Sequence, residues 1–137
     1  MANFKIADNL TRKSEGGYTG DADDNGNWTG GKKGVGVLVG TKFGISAPVL
    51  MAYLRRIPTV LEMKNLSKET VERIYIKNYW NPIRGNEIIN QNIANDIYDM
   101  AVNAGVGTAI TLAKRARNIE ESGKMDNRFL KIINQEV

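Results

Sequence analysis

Half of the chain's fourteen glycines fall between Tyr18 and Gly40, where Asp, Asn, Thr and Lys supply most of the remaining positions. A helix cannot run through such a stretch. Each glycine carries extra backbone entropy that ordering must overcome, and short polar side chains offer the backbone local hydrogen bonds that compete with a helical ladder. The segment must be built from turns and short extended pieces. Within it Val35, Val37 and Val39 alternate with Gly36 and Leu38, and Thr41 to Ile45 follows directly after Gly40. That spacing predicts a small, glycine-rich β-hairpin from these two pieces.

Helical periodicity surrounds this insert. From Asn3 to Ser14, Phe4, Ile6, Ala7 and Leu10 share one helical face, with Asn3 as N-cap, Glu15 in the last turn and Gly16-Gly17 as the stop. Ser46 precedes a helix with Pro48 in its first turn, ending before Pro58. Ser67 caps another, in which Val71, Ile74, Tyr75 and Tyr79 keep helical spacing until Asn81-Pro82. The central, most buried helix is expected from about Asn86 to Val102, with Ile89, Ile93, Ile97 and Met100 beside Ala94, Tyr98 and Ala101. Gly105 and Gly107 break it, a helix resumes from Thr108 to Arg117, and a turn over Gly123 to Asn127 leads to a last helix with Phe129, Leu130, Ile132 and Ile133. The architecture is α+β and mainly α: a helix, a small hairpin and a helical lobe, with a cleft lined by the Glu15 to Thr41 segment.

The 137 residues suit one domain, and no apolar run reaches the roughly 20 residues of a membrane span. The first ten residues lack the apolar core of a signal peptide, which predicts synthesis in the cytoplasm without a signal of its own. The net charge of +4 points to an anionic partner: nucleic acid, a membrane surface or an acidic polymer such as cell wall. Lys114-Arg115-Ala116-Arg117 reads as a solvated helical face, since no aromatic residues interleave its charges as a nucleic-acid site would need.

Neither cysteine nor histidine occurs. Thiol catalysis, thiolate metal sites and histidine-bearing triads are thereby excluded, and acid–base work near neutral pH falls to carboxylates, lysines or tyrosines. Glu15 stands out because the negative end of a helix disfavours an anion and so raises a carboxyl's pKa. Asp21 and Asp24 follow on a tight glycine turn. Asp21, Asp23 and Asn25 also have the spacing of the first half of a calcium loop, but Lys32 stands where a bidentate glutamate is required, so an Asx-rich turn is expected. Gly26 to Lys32 matches most of a phosphate-binding loop, yet Lys33 replaces the Ser or Thr and an extended segment follows instead of a helix. Two carboxyl groups across a cleft are the equipment of glycoside hydrolysis, and Tyr18, Trp28, Tyr79 and Trp80 could offer faces to sugar rings, Tyr79 fitting the core better.

The set Glu15-Gly16-Gly17-Tyr18, Asp21, Asp24 and Thr41-Lys42-Phe43-Gly44-Ile45-Ser46 resembles the signature of the N-acetylmuramidases of glycoside hydrolase family 108. Tyr79-Trp80-Asn81-Pro82-Ile83-Arg84 and Asp99-Met100-Ala101-Val102-Asn103-Ala104-Gly105-Val106-Gly107 look like that family's helical half. The resemblance implies one lysozyme-like domain over residues 1–137, with a catalytic part over 1–85 and a peptidoglycan-binding-like half over 86–137. It implies cleavage of the β-1,4 bond between N-acetylmuramic acid and N-acetylglucosamine, with Glu15 as the acid. Similarity to the Glu, Asp, Thr set of phage-type lysozymes implies that Asp24 and Thr41 position water, although Asp21 could take that role. Tyr18, Asp21, Trp80 and Asn103 are the implied substrate-binding residues. No metal or organic cofactor is implied, and the expected partner is peptidoglycan, with no nucleic acid, no stable membrane insertion and a monomeric state. Action at the bacterial wall, as a phage or prophage endolysin or a bacterial relative, would follow. The alternative is a non-catalytic wall-binding or secretion-associated protein with the same fold.

Overall fold

The computed structural model describes residues 1–12 and 16–136. The chain divides into two compact units, one comprising Met1–Lys13 with Tyr75–Val137 and the other Ser14–Ile74. Among the described residues there are seven α-helices and only isolated β-bridges, a mainly α arrangement.

In the first unit, helix α1 (Phe4–Thr11) starts at Asn3, whose Oδ1 accepts from the Lys5 and Ile6 amides. The helix closes at Arg12, earlier than the expected Ser14. Helix α5 (Gln91–Ala104) carries the stripe Ala94, Ile97, Tyr98 and Ala101, spaced to fall on one buried face. It packs against α1 and against α6 (Val106–Arg115). Two expected core positions differ: Ile89, which precedes the helix, is 61% exposed and Met100 38%. The helix starts later than Asn86 because Asn90 caps it, after a 3-10 turn at Gly85–Glu87. Gly105, at φ 98°, makes the break, while Gly107 lies inside α6. Helix α7 (Asn127–Asn134) begins on Asp126, which accepts from the Phe129 amide.

The core of this unit is aromatic. Trp80 and Tyr98 sit edge-on to each other and to Phe4, with ring centroids 5.6 to 5.7 Å apart. Gly85 makes room for the indole, since a β-carbon there would stand 2.2 Å from the Trp80 ring. Beside the rings lies the buried Asp8, whose carboxylate accepts from Tyr98 Oη at 2.7 Å and from Arg12 Nε and Nη2 at 2.6 Å each. The Arg12 guanidinium rests 3.9 Å from the centre of the Tyr75 ring. A buried charge survives because both carboxylate oxygens have strong partners.

Lys114 requires a correction. It is not part of a solvated face: it is 2% exposed, and its ammonium donates to Ser122 Oγ, the Lys124 carbonyl and Asp126 Oδ2. Arg115 and Arg117 are ion-paired to Glu121 and Glu136.

The second unit holds the glycine-rich segment and helices α2 (Ala47–Leu54), α3 (Val60–Lys64) and α4 (Lys68–Tyr75), the last running to the unit boundary. Its core comprises Val39, Ile45, Ala47, Leu50, Met63, Val71 and Ile74. The hairpin has a different register from the expected one. Asn27 to Gly30 pairs with Val35 to Gly40, through bonds from Thr29 to Val37, Gly30 to Val35 and Val39 to Asn27. Thr41 instead bridges Thr19, and Lys42 to Ile45 is a tight turn. Phe43 and Gly44 both have positive φ there, 52° and 77°, the mirror-image turn that matches strand twist.

Candidate active site

The backbone that carries the candidate site is a set of turns whose side chains are their own scaffold. Asp24 caps a single 3-10 turn, Asn25–Asn27, and its Oδ1 accepts from the Gly26 amide at 2.9 Å. Asp21 stands one turn earlier, with Oδ1 accepting from the Asp23 amide at 2.9 Å. Asp23 pairs with Lys33, and Asn25 Oδ1 accepts from the Lys33 amide. The residues with calcium-loop spacing therefore serve the turn itself as acceptors. Among the described residues no group of three carboxylates is arranged to hold a metal ion.

Thr41 reaches this turn from the far end of the glycine-rich segment. Its amide and carbonyl exchange hydrogen bonds with Thr19, both at 2.9 Å, and the Phe43 amide donates to the carbonyl of Gly16 at 3.1 Å. The Thr41 side chain donates to Asn27 Oδ1 at 2.7 Å and lies 3.4 Å from the Gly26 carbonyl. A β-carbon built on Gly26 would stand 3.4 Å from Asp24 Oδ1 and 4.0 Å from Thr41 Oγ1. The carboxylate and the hydroxyl thus flank the same glycine, though 17 positions separate them in the sequence.

Asn27 holds the two together, and sequence reasoning missed it. It is fully buried. Its amide donates to the Asp24 carbonyl, its Nδ2 to the Asp21 carbonyl at 2.9 Å, and its own carbonyl accepts from Val39 and Gly40. In sequence it is one of two Asn residues in a turn-rich run, with nothing to single it out.

Tyr18 is half-buried against the same scaffold. Its hydroxyl donates to the Val39 carbonyl at 2.9 Å, and its ring occupies the space a β-carbon on Gly40 would take, 2.5 Å away. Gly40 has φ 102°, so both its conformation and its bareness are required. The Lys64 ammonium lies 5.0 Å from the centre of the Tyr18 ring, and Lys42 Nζ donates to the Lys64 carbonyl. Trp28 is partly exposed and donates from Nε1 to the Ala22 carbonyl at 2.8 Å.

The structure brings Asp24 and Thr41 together, with Tyr18 and Asp21 in the same unit. Glu15 lies outside the described residues; Gly16, which follows it, is bonded to Phe43, two residues past Thr41. Trp80 corrects the expectation of a sugar platform. It is 1% exposed, it packs edge-on to Phe4 and Tyr98, and its Nε1 donates to Asn86, so its ring offers no face at the surface. Asn103 is exposed on α5 and donates to the Asp99 carbonyl.

Solved structures share this fold. That of SagA from Brucella abortus superposes with a TM-score of 0.73 at 24% identity, over 98% of this chain and 70% of that one. No curated protein matches the sequence. The family model for glycosyl hydrolase 108 matches residues 9–105, a span that takes in the Asp24–Thr41 turn, Tyr18 and Asn103. The chain therefore belongs to glycosyl hydrolase family 108, and is a glycoside hydrolase of the peptidoglycan-hydrolysing class.

Proposed function

We propose that the chain is a muramidase, acting at the bacterial cell wall on the β-1,4 bond between N-acetylmuramic acid and N-acetylglucosamine. Glu15 protonates the leaving oxygen, and Asp24 with Thr41 holds the attacking water. The observation that carries this reading is the convergence of Asp24 and Thr41 on Gly26. A water that attacks an anomeric carbon must give away both hydrogens so that a lone pair faces the carbon. The Asp24 carboxylate takes one. Thr41 takes the other, because its own hydrogen is committed to Asn27. Water held opposite the acid leads to inversion at the anomeric carbon.

The whole chain works as one catalytic domain in this reading, without a metal or organic cofactor, and as a monomer. Tyr18 and Asp21 contribute to sugar binding beside the catalytic turn. Among the described residues no helix is long and apolar enough to cross a membrane.

The decisive experiment digests purified peptidoglycan, reduces the new ends with borohydride and identifies them by mass spectrometry. Reduced muramic acid at the new ends supports the proposal; reduced glucosamine refutes the bond assignment. Glu15→Gln keeps the shape and removes the proton, so release of ends should fall by about 10²-fold or more. Undiminished turnover in that variant would remove Glu15 from the mechanism, and wall pull-down without any released ends would leave a binding protein.

A further inference from the structure

The second unit carries a surface that the hydrolytic reading does not use. In five residues past the end of α2, Ile57, Val60 and Leu61 are 58%, 39% and 66% exposed. A groove of about 350 Å³ is lined by Leu50, Leu54, Leu61 and Leu66, with Glu62 and Asn65 among its polar residues. Water-exposed aliphatic side chains grouped over an apolar groove are a contact surface rather than scattered surface residues.

Positive charge is in excess along it. From Arg55 to Glu69 the sequence places Arg55, Arg56, Lys64 and Lys68 against Glu62 and Glu69; Arg56 and Glu62 pair with each other, and the Lys64 ammonium lies over the Tyr18 ring, which leaves the exposed Arg55 and Lys68 against Glu69. Arg55 takes a left-handed backbone conformation at the C-cap of α2, which turns the chain out into the Ile57 loop. Thr59 and Glu62 then lock the start of α3 through a reciprocal capping box, so the loop is held from both sides.

We propose that this loop and the exposed side of α3 dock on an anionic phospholipid bilayer, with Ile57 and Leu61 entering below the headgroups and Arg55 and Lys68 facing lipid phosphates. Charge complementarity selects an anionic partner, and the aliphatic side chains select acyl chains over polysaccharide, whose flat C–H faces suit aromatic rings. Neither the apolar group nor the basic group suffices alone, since stable membrane attachment takes two signals. The proposal goes beyond wall hydrolysis and does not depend on it. The surface would keep the enzyme at the membrane face of its polymeric substrate.

Co-sedimentation of the full chain with large unilamellar vesicles tests it. Vesicles of phosphatidylglycerol and phosphatidylethanolamine should bind at least tenfold more protein than vesicles of phosphatidylcholine. Ile57→Ser/Leu61→Ser should lower that binding about tenfold while leaving the thermal midpoint unchanged, as both side chains are exposed. Arg55→Glu/Lys68→Glu should abolish the preference for anionic lipid and the salt dependence with it. Three results would overturn the proposal: no binding to anionic vesicles at low salt, full binding retained in Ile57→Ser/Leu61→Ser, or a wild-type dimer that this double substitution dissolves without any vesicle binding. The last would assign the face to a second copy of the chain.

Discussion

Thr41 Oγ1 donates its hydrogen to Oδ1 of the fully buried Asn27 across 2.7 Å, so the candidate water-holding hydroxyl is oriented from inside the protein. The same amide's Nδ2 is fixed on the Asp21 carbonyl, which settles which end of Asn27 faces Thr41. Replacing Asn27 by Ala should cost about 1–3 kcal/mol of stability, because a part-buried hydroxyl loses its partner and a cavity opens. It should also lower kcat by about 10- to 100-fold, the scale of a small misplacement of a positioned group. Release of reducing ends and a denaturant melt on the same preparation check both. Loss of stability with unchanged kcat would make Asn27 a structural residue only.

Asp24 and Asp21 can be separated by the same substitution. Asp24→Asn keeps an acceptor for the Gly26 amide but removes the charge proposed to orient and deprotonate water, so kcat should fall by about 10²- to 10⁴-fold with little change in melting temperature. Asp21→Asn keeps an acceptor for the Asp23 amide, and Asn27 contacts only the Asp21 backbone carbonyl. Its kcat should therefore stay within about threefold of wild type, with any effect in KM. The reverse ranking would move the assisting role to Asp21.

Burial, then the hydrogen bond to Asp8, pushes the Tyr98 hydroxyl far above its ordinary pKa. The folded state therefore holds this proton in a range where the unfolded chain releases it. Stability from this group is complete below about pH 10, the ordinary tyrosine value, and declines as pH rises beyond it. Tyr98→Phe should cost about 1–3 kcal/mol at neutral pH by removing one partner of a buried carboxylate. It should also flatten the fall in melting temperature between pH 9 and 11. An equally steep fall in the variant would assign the alkaline loss to other groups.

Element type was more readable than position. Asn3, Ser46 and Ser67 all precede helices as their positions predict, because a cap is a local rule written in one or two residues, although the Ser46 side chain makes no cap bond. Helix α3 was legible and overlooked: Thr59-Val60-Leu61-Glu62 has the spacing of a capping box, and the structure forms it. The hairpin register was not legible, since seven glycines leave too few side chains to fix which pieces pair. Lys114 and Trp80 show the other limit. A lysine in a basic run reads as solvated, and an aromatic in a family motif reads as a sugar platform. Each is instead decided by tertiary partners, Ser122 and the Lys124 carbonyl for Lys114, Phe4 and Tyr98 for Trp80. Asn27 left no mark of its role, because an amide's importance lies in what it bridges.

Glu62 gives the acid side of the stability profile. Its carboxylate accepts from Arg56 Nη1 at 2.8 Å and from the Thr59 amide at 3.0 Å, and these bonds, the arginine first, hold its pKa down at about 2. The unfolded chain takes up this proton near pH 4.3, so the stability from Glu62 is complete above that value and is lost as pH falls toward 2. Glu62→Gln keeps an acceptor for the Thr59 amide but not the charge facing Arg56. Its melting temperature should lie below wild type at pH 6, and the gap should close as pH approaches 2. Arg56 and Glu62 are both open to solvent, so the pH 6 gap should also narrow in 0.5 M sodium chloride, as expected for a screened pair, about 4 Å of Debye length remaining there. A gap that is constant from pH 6 to pH 2 would show that the side chain acts through shape rather than charge.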